Sequence, residues 1–401
     1  MPSVTHDPAP ERHKLSTMFF IVGMALGLWN INLSSVLAAH GYAAAIIDNV
    51  WCTSAIAAII SPLIVGALAD QSYSSERVLR WLGLGAAIFV CLLFYGIHER
   101  WHGGVIILLA QVHALWCAPS FGLATSLVIS RLADAKSQFG PIRVWATLGW
   151  MLAGPVVSYV LHSDDGVTAG FTAAGVWLIA IGFTFTLKAM PPPERKEKRT
   201  WSDFLGLEAW SLLRQRDHRV VFIGAALFNI PLAAFYPHTA LHLKELGVQH
   251  TTALMSLAQI MEAIGLLALS WLLTRVRLKW LFLGGIAAGV LRYGLYAHGT
   301  VVSLCLGIAL HGVCFTLFYM TAQIYLEHRI PAAMRSRAQA LLSLMMSGIG
   351  NLIGYQGCGW WRHACMANGH MDWQTYWTGL AALIAVIWVW FALSYKGRHN
   401  V

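Results

Sequence analysis

Long apolar runs alternate with short polar connections along nearly the whole chain. A helix that crosses the hydrocarbon core of a bilayer needs roughly 20 apolar residues. On that criterion the runs predict twelve spans, near 17–39, 45–69, 78–97, 104–132, 140–162, 168–190, 219–243, 252–274, 279–298, 301–326, 337–361 and 374–395. The longest polar interruption, 191–218, falls between the sixth and seventh spans. It opens as a charged linker and continues from about Trp201 to Leu213 with Phe204, Leu205, Leu207, Trp210 and Leu213 at helical spacing, a pattern expected to lie along a membrane surface. The expected fold is therefore an all-α integral membrane protein: a six-helix bundle over 1–190, a linker with a surface helix over 191–218, and a second six-helix bundle over 219–401.

Composition strengthens this reading. The 401 residues are 57% hydrophobic and 11% charged, where a soluble domain carries about 25% charged residues. The run after the polar start is long for a signal-peptide core and contains Asn30 and Asn32, so it reads as a retained first span. Seven cysteines, an odd number without a CxxC pair, indicate neither a disulfide framework nor a zinc site. The formal charge of +9 is not gathered into basic runs interleaved with aromatics, so no nucleic-acid partner is expected. Glycine pairs such as Gly348, Gly350 and Gly354 are helix-packing features, and no cofactor loop is indicated.

The placement of charge sets the expected orientation. With both termini on the cytoplasmic face, all but five of the 27 lysines and arginines fall on that face; Arg100, Lys244 and Arg362 lie outside, and Arg143 and Arg292 lie within spans. Two halves of six spans joined by a long inner loop have the layout of the major facilitator superfamily, whose halves rock about a central site. The loop GALADQSYSSERVLR loosely resembles that superfamily's cytoplasmic gate motif, which makes Asp70 and Arg77 candidates for gating; topology alone accounts for the arginines equally well. The corresponding loop of the second half, LLTRVRLKW, has no acidic residue.

Few polar groups enter the spans, so each one carries information. Only Asp48 and Glu262, of 18 carboxylates, fall within them. A carboxylate in a bilayer faces a cavity, pairs with a cation, or is protonated. Glu262 lies near the middle of span eight with Gln259 on the same face, which makes it the leading proton-coupling group; Asp48, near the outer end of span two, is the lesser candidate. In QFGPIRVWATLGWMLAG a helix start at Gly140 and Pro141 is expected, with Arg143, Thr147 and Trp150 on one face at i, i+4 and i+7. A guanidinium, a hydroxyl and an indole on one stripe fit a wet cavity that receives a polar, ring-containing solute. His311 and Phe315 in span ten, and Asn30 in span one, are further candidate liners, and His311 could equally relay protons or be satisfied by a neighbouring helix. Arg292, near the outer end of span nine, reads as structural and within reach of the headgroups. No nucleophile–base pair or metal-ligand cluster suggests an enzyme.

Several blocks taken together resemble the bacterial nucleoside:proton symporter family of the major facilitator superfamily: QFGPIRVWATLGW, WSDFLGLEAWSLL, MSLAQIMEAIG, LRYGLY, the run from His311 to Gly354, and DWQTYW. They cover most of the chain from about residue 138, while the first 130 residues match in layout. The resemblance implies proton-driven uptake of nucleosides through the inner membrane of a bacterium by a chain working as a monomer. It places Arg143, Thr147, Trp150, Gln259, Glu262, His311 and Phe315 on the solute. The sequence departs from that pattern with Trp150 in place of Phe, His311 in place of Tyr, and Thr316 in place of an aspartate. Span-seven ligand positions fall on Pro231 and Ala234. The pairings of Arg143 with Trp150 and of Arg292 with His311 also resemble the lactose permease group, although Gly122 stands where that group carries an acidic residue. A sugar or small aromatic acid is therefore the alternative solute, and a non-transporting sensor on the same fold the distant one.

Overall fold

In the computed structural model the described residues are 8–69, 73–132, 135–187, 207–331, 334–367 and 369–397. Almost all of them are helical, as a bilayer requires, since helices satisfy every backbone N–H and C=O within the segment. The first half contains α1 (Pro8–Asn30, resuming as Leu33–Ala39), α2 (Ala44–Ala69), α3 (Ser75–His98), α4 (Gly103–Ile129), α5 (Ala135–Pro155, extended by Val156–Val160) and α6 (Thr168–Thr184). The second contains α7 (Arg216–Leu232 and Phe235–Glu245), α8 (Thr251–Met255 and Leu257–Arg275), α9 (Leu278–Ala297) and α10 (Val301–Cys314, Phe315–Met320 and Thr321–Arg329). It closes with α11 (Arg335–Ser343, Leu344–Gly350 and Asn351–Ala364), a two-residue hairpin of β1 (Met366–Ala367) and β2 (His370–Met371), and α12 (Trp373–Ser394). Among the described residues nine helices are long and apolar enough to cross a membrane. The remaining rods, α5, α6 and α11, complete the alternation in shorter or less apolar form.

Three local differences from the sequence expectations have physical causes. The fifth helix starts at Ala135, so Gly140 and Pro141 lie in its second turn and do not open it. Proline there removes one backbone bond, to the carbonyl of residue 137, which the rest of the helix tolerates. Residues 207–214 form a short 3₁₀ segment whose Ala209 and Leu212 are buried against the second half, so this part of the linker docks on protein; residues 201–206 of the expected surface helix lie outside the described residues. The seventh span is interrupted at Ala233 and Ala234, just past Pro231.

Packing follows the chain order. In the first half α1 lies on α5 and α6, α3 on α4 and α6, and α2 on α4; in the second, α9 lies on α10 and α12, α8 on α10, and α7 on α11 and α12. Glycines permit the closest of these approaches: a Cβ on Gly23 or Gly149 would overlap the facing backbone between α1 and α5. One large buried apolar cluster is drawn almost wholly from 209–395, and two smaller ones mainly from 15–187. Across the two sets, α2 meets α11, α5 meets α8, and Leu33–Ala39 meets Phe235–Glu245.

Polar links between the sets gather at the end of the bundle opposite the termini. Asp48 on α2 lies 3.1 Å from His238 Nε2 on α7 and 3.8 Å from Arg362 on α11. His238 in turn hydrogen bonds Tyr376 on α12. Asp164, after α5, accepts from the backbone N–H of Thr252 at 2.8 Å, Asp165 pairs with Lys244, and Gln356 Nε2 donates to Asn49 at 2.7 Å. Gly154 on α5 sits so close to Ser256 and Thr252 on α8 that a side chain there would collide.

Candidate solute site between the two halves

Beneath these links lies a cavity of about 290 Å³ between α1, α4 and α5 on one side and α7 and α8 on the other. Its walls include Arg143, Thr147 and Trp150 from α5 and Gln259 and Glu262 from α8. The helical spacing that puts each set on one face also aims both sets at the same space. The guanidinium of Arg143 stands 4.5 Å from the centre of the Phe121 ring. It lies within electrostatic reach of Glu262, yet among the described residues the two make no ion pair within 4 Å. A cation and a carboxylate thus face one another across open space, each with hydrogen-bonding capacity left for a guest.

The aromatic wall is built from Trp150 and Tyr236. Tyr236 meets Trp150 edge-on at 6.2 Å, stacks on Trp51 of α2 at 6.0 Å, and receives a long hydrogen bond of 3.4 Å from Gln259 Nε2. Tyr236 and Phe121 are not evident as cavity residues from the sequence, because an apolar context gives an aromatic residue no distinguishing signal. Tyr236 sits two residues beyond the interruption in α7, and that break was the available clue.

His311 is placed behind this wall. Its ring stacks on Phe235 at 4.1 Å, meets Tyr236 edge-on at 6.2 Å, and its Nδ1 accepts from Arg292 Nη1 at 3.0 Å. Arg292 is fully buried, its guanidinium 4.4 Å from the Phe235 ring and 4.9 Å from the Tyr293 ring, so it turns inward and does not reach toward headgroups. Phe315 opens the widened turn of α10 and packs near Tyr319, and Asn30 ends the first segment of α1; neither lines the cavity. Thr316 is fully buried against Gly265, one turn along α8 from Glu262. Asp48 belongs to the cross-links described above, with His238 as a partner that sequence reasoning left out. Asp70 lies outside the described residues. Arg77 is exposed, 5.8 Å from the Tyr73 ring. The buried ion pair at that end is instead Glu76 of α3 with Arg131 after α4.

A family model described as nucleoside H+ symporter matches residues 11–400. The chain belongs to that family. The match runs through the first half as well, beyond the blocks from residue 138 onward. Among relatives of the family, the putative nucleoside transporter YegT of Escherichia coli K12 is 32% identical over 96% of this chain and 94% of its own length. The nucleoside permease NupG and the xanthosine permease of the same organism are 25% and 27% identical, each over 96% of both chains. A crystal structure of the nucleoside transporter NupG superposes with a TM-score of 0.86 at 25% identity, covering 96% of this chain and 99% of that one. The fold also matches a bacterial homologue of the lysosomal transporter Spinster at a TM-score of 0.73 and 12% identity. The symporter is thus a multi-pass inner-membrane protein of a transporter family, with relatives that are permeases and not enzymes.

Proposed function

We propose that this symporter moves nucleosides together with protons, with the cavity between α5 and α8 as the solute site. The observation that carries the reading is the pairing across that cavity: Arg143, Thr147 and Trp150 face Gln259 and Glu262 with space between them. An indole face covers a base or sugar ring, and glutamine and glutamate serve ribose hydroxyls. Glu262 is the proton-responsive carboxyl, because Thr316 holds the α10 position with a hydroxyl too weakly acidic to gain or lose a proton near neutral pH. His311, as acceptor for Arg292, positions that arginine and reaches the solute only through Tyr236.

The chain divides into bundles at 1–190 and 219–401 that rock about the cavity, and it works as a monomer with both termini cytoplasmic. Asp48, His238 and Arg362 hold the outer end shut; a proton on Asp48 loosens this contact, which gives that carboxylate a supporting part in coupling. Arg77, with Asp70, serves the inner end. Counterflow in liposomes with radiolabelled uridine, adenosine and xanthosine, against lactose, tests the reading. Exchange of at least one nucleoside and none of lactose is expected; exchange of lactose alone refutes it.

A further inference from the structure

The turn between α8 and α9 presents an unbalanced charge at the membrane boundary. Arg275 ends α8, Arg277 precedes α9, and both are exposed. Among the described residues neither has a carboxylate within 4 Å. Lys279, two residues on, is already engaged, donating to the carbonyl of Ala392 at 2.8 Å. The corresponding α2–α3 region of the first half differs in carrying a buried carboxylate, Glu76 at the start of α3, which pairs with Arg131 after α4. Two tryptophans flank the free arginines. Trp271 and Trp280 are each 60% exposed, and the Arg275 guanidinium lies 5.7 Å from the Trp271 ring.

Indoles partition to the level of the headgroups, and guanidinium groups match phosphate oxygens in geometry. Apolar helix faces below the turn put its arginines at the depth where phosphodiesters lie. We propose that Arg275 and Arg277, framed by Trp271 and Trp280, form a binding site for the headgroup of an anionic phospholipid. The site terminates the helix that carries Gln259 and Glu262. A lipid held there fixes the end of α8 against which the cavity wall moves.

The test uses the purified full chain in detergent, titrated with phosphatidylglycerol, phosphatidylcholine or inorganic phosphate and followed by thermal unfolding. Phosphatidylglycerol is expected to raise Tm and phosphatidylcholine to leave it unchanged. The Arg275→Gln/Arg277→Gln variant should keep the lipid-free Tm and bind phosphatidylglycerol about 30-fold more weakly, the effect of removing two basic groups at an anionic surface. An equal response to the two lipids, or an unaltered response in the variant, overturns the site. A shift of the same size with inorganic phosphate alone makes it a free-anion site and overturns the lipid assignment.

Discussion

Arg143 and Arg292 are the two arginines that the hydropathy pattern places inside spans, and their surroundings are opposites. Arg143 on α5 borders an open cavity, stands over one ring, and faces a carboxylate that it does not touch. Arg292 on α9 is sealed among Phe235, Tyr293 and Tyr296, with a neutral imidazole as its hydrogen-bond acceptor. A buried cation carries a desolvation cost of several kcal/mol. Ring faces recover part of it for Arg292, at about 0.5–2 kcal/mol each. Arg143 keeps contact with a cavity that admits water. The contrast teaches that residue type and depth in a span do not fix a role. A charge left uncommitted beside open space is available to a guest, while one enclosed by rings is part of the scaffold.

The largest effect expected from this contrast is on coupling. Glu262→Gln should abolish accumulation of nucleoside against a gradient while the protein still folds and still exchanges solute by counterflow. Arg143→Ala should lose solute binding with little change in Tm, because its guanidinium packs on the Phe121 ring and otherwise faces the cavity. Accumulation that persists in Glu262→Gln would reduce that carboxylate to a ligand and remove the functional half of the comparison.

Next in size is the effect on stability at the enclosed arginine. Arg292→Ala leaves a hole among large rings and takes the donor from His311. A large-to-small change in a packed core costs about 2–5 kcal/mol, and a similar loss is expected here in thermal or denaturant unfolding in detergent. A variant as stable as the parent but without solute binding would move Arg292 into the site and erase the distinction between the two arginines.

How much of this was legible beforehand depends on how each residue gets its partner. The spacing of Arg143, Thr147 and Trp150, and of Gln259 and Glu262, is converted into a shared face by helix geometry alone, so both walls could be read from the chain. Glu76, in the first turn of α3, and Asp164, in the loop after α5, were not legible as buried carboxylates, because a hydropathy pattern gives no sign of burial outside the spans. Their partners, Arg131 and Thr252, lie 55 and 88 residues away and are brought in by tertiary packing. His238 reads as an ordinary span histidine for the same reason, since only the approach of α2 to α7 puts Asp48 beside it. His311 was legible as a polar group deep in a span, but nothing in the sequence sets Phe235 and Tyr236 between it and the cavity.

The smallest effects concern the wall that separates the two environments. Trp150→Ala should weaken nucleoside binding by about 1–3 kcal/mol if a base stacks on the indole, measured as Kd by isothermal titration. Tyr236→Phe keeps the ring between Trp150 and His311 and removes only a hydroxyl held by a 3.4 Å contact from Gln259. A marginal bond of that length contributes at most about 1 kcal/mol, so less than a tenfold change in Kd is expected, with Tm unaltered. Tyr236→Ala should cost more, because it opens the cavity onto the His311–Arg292 pair and admits water to a guanidinium otherwise bounded by rings. If the phenylalanine and alanine variants bind alike, the ring is not the partition, and the two arginines share one chamber.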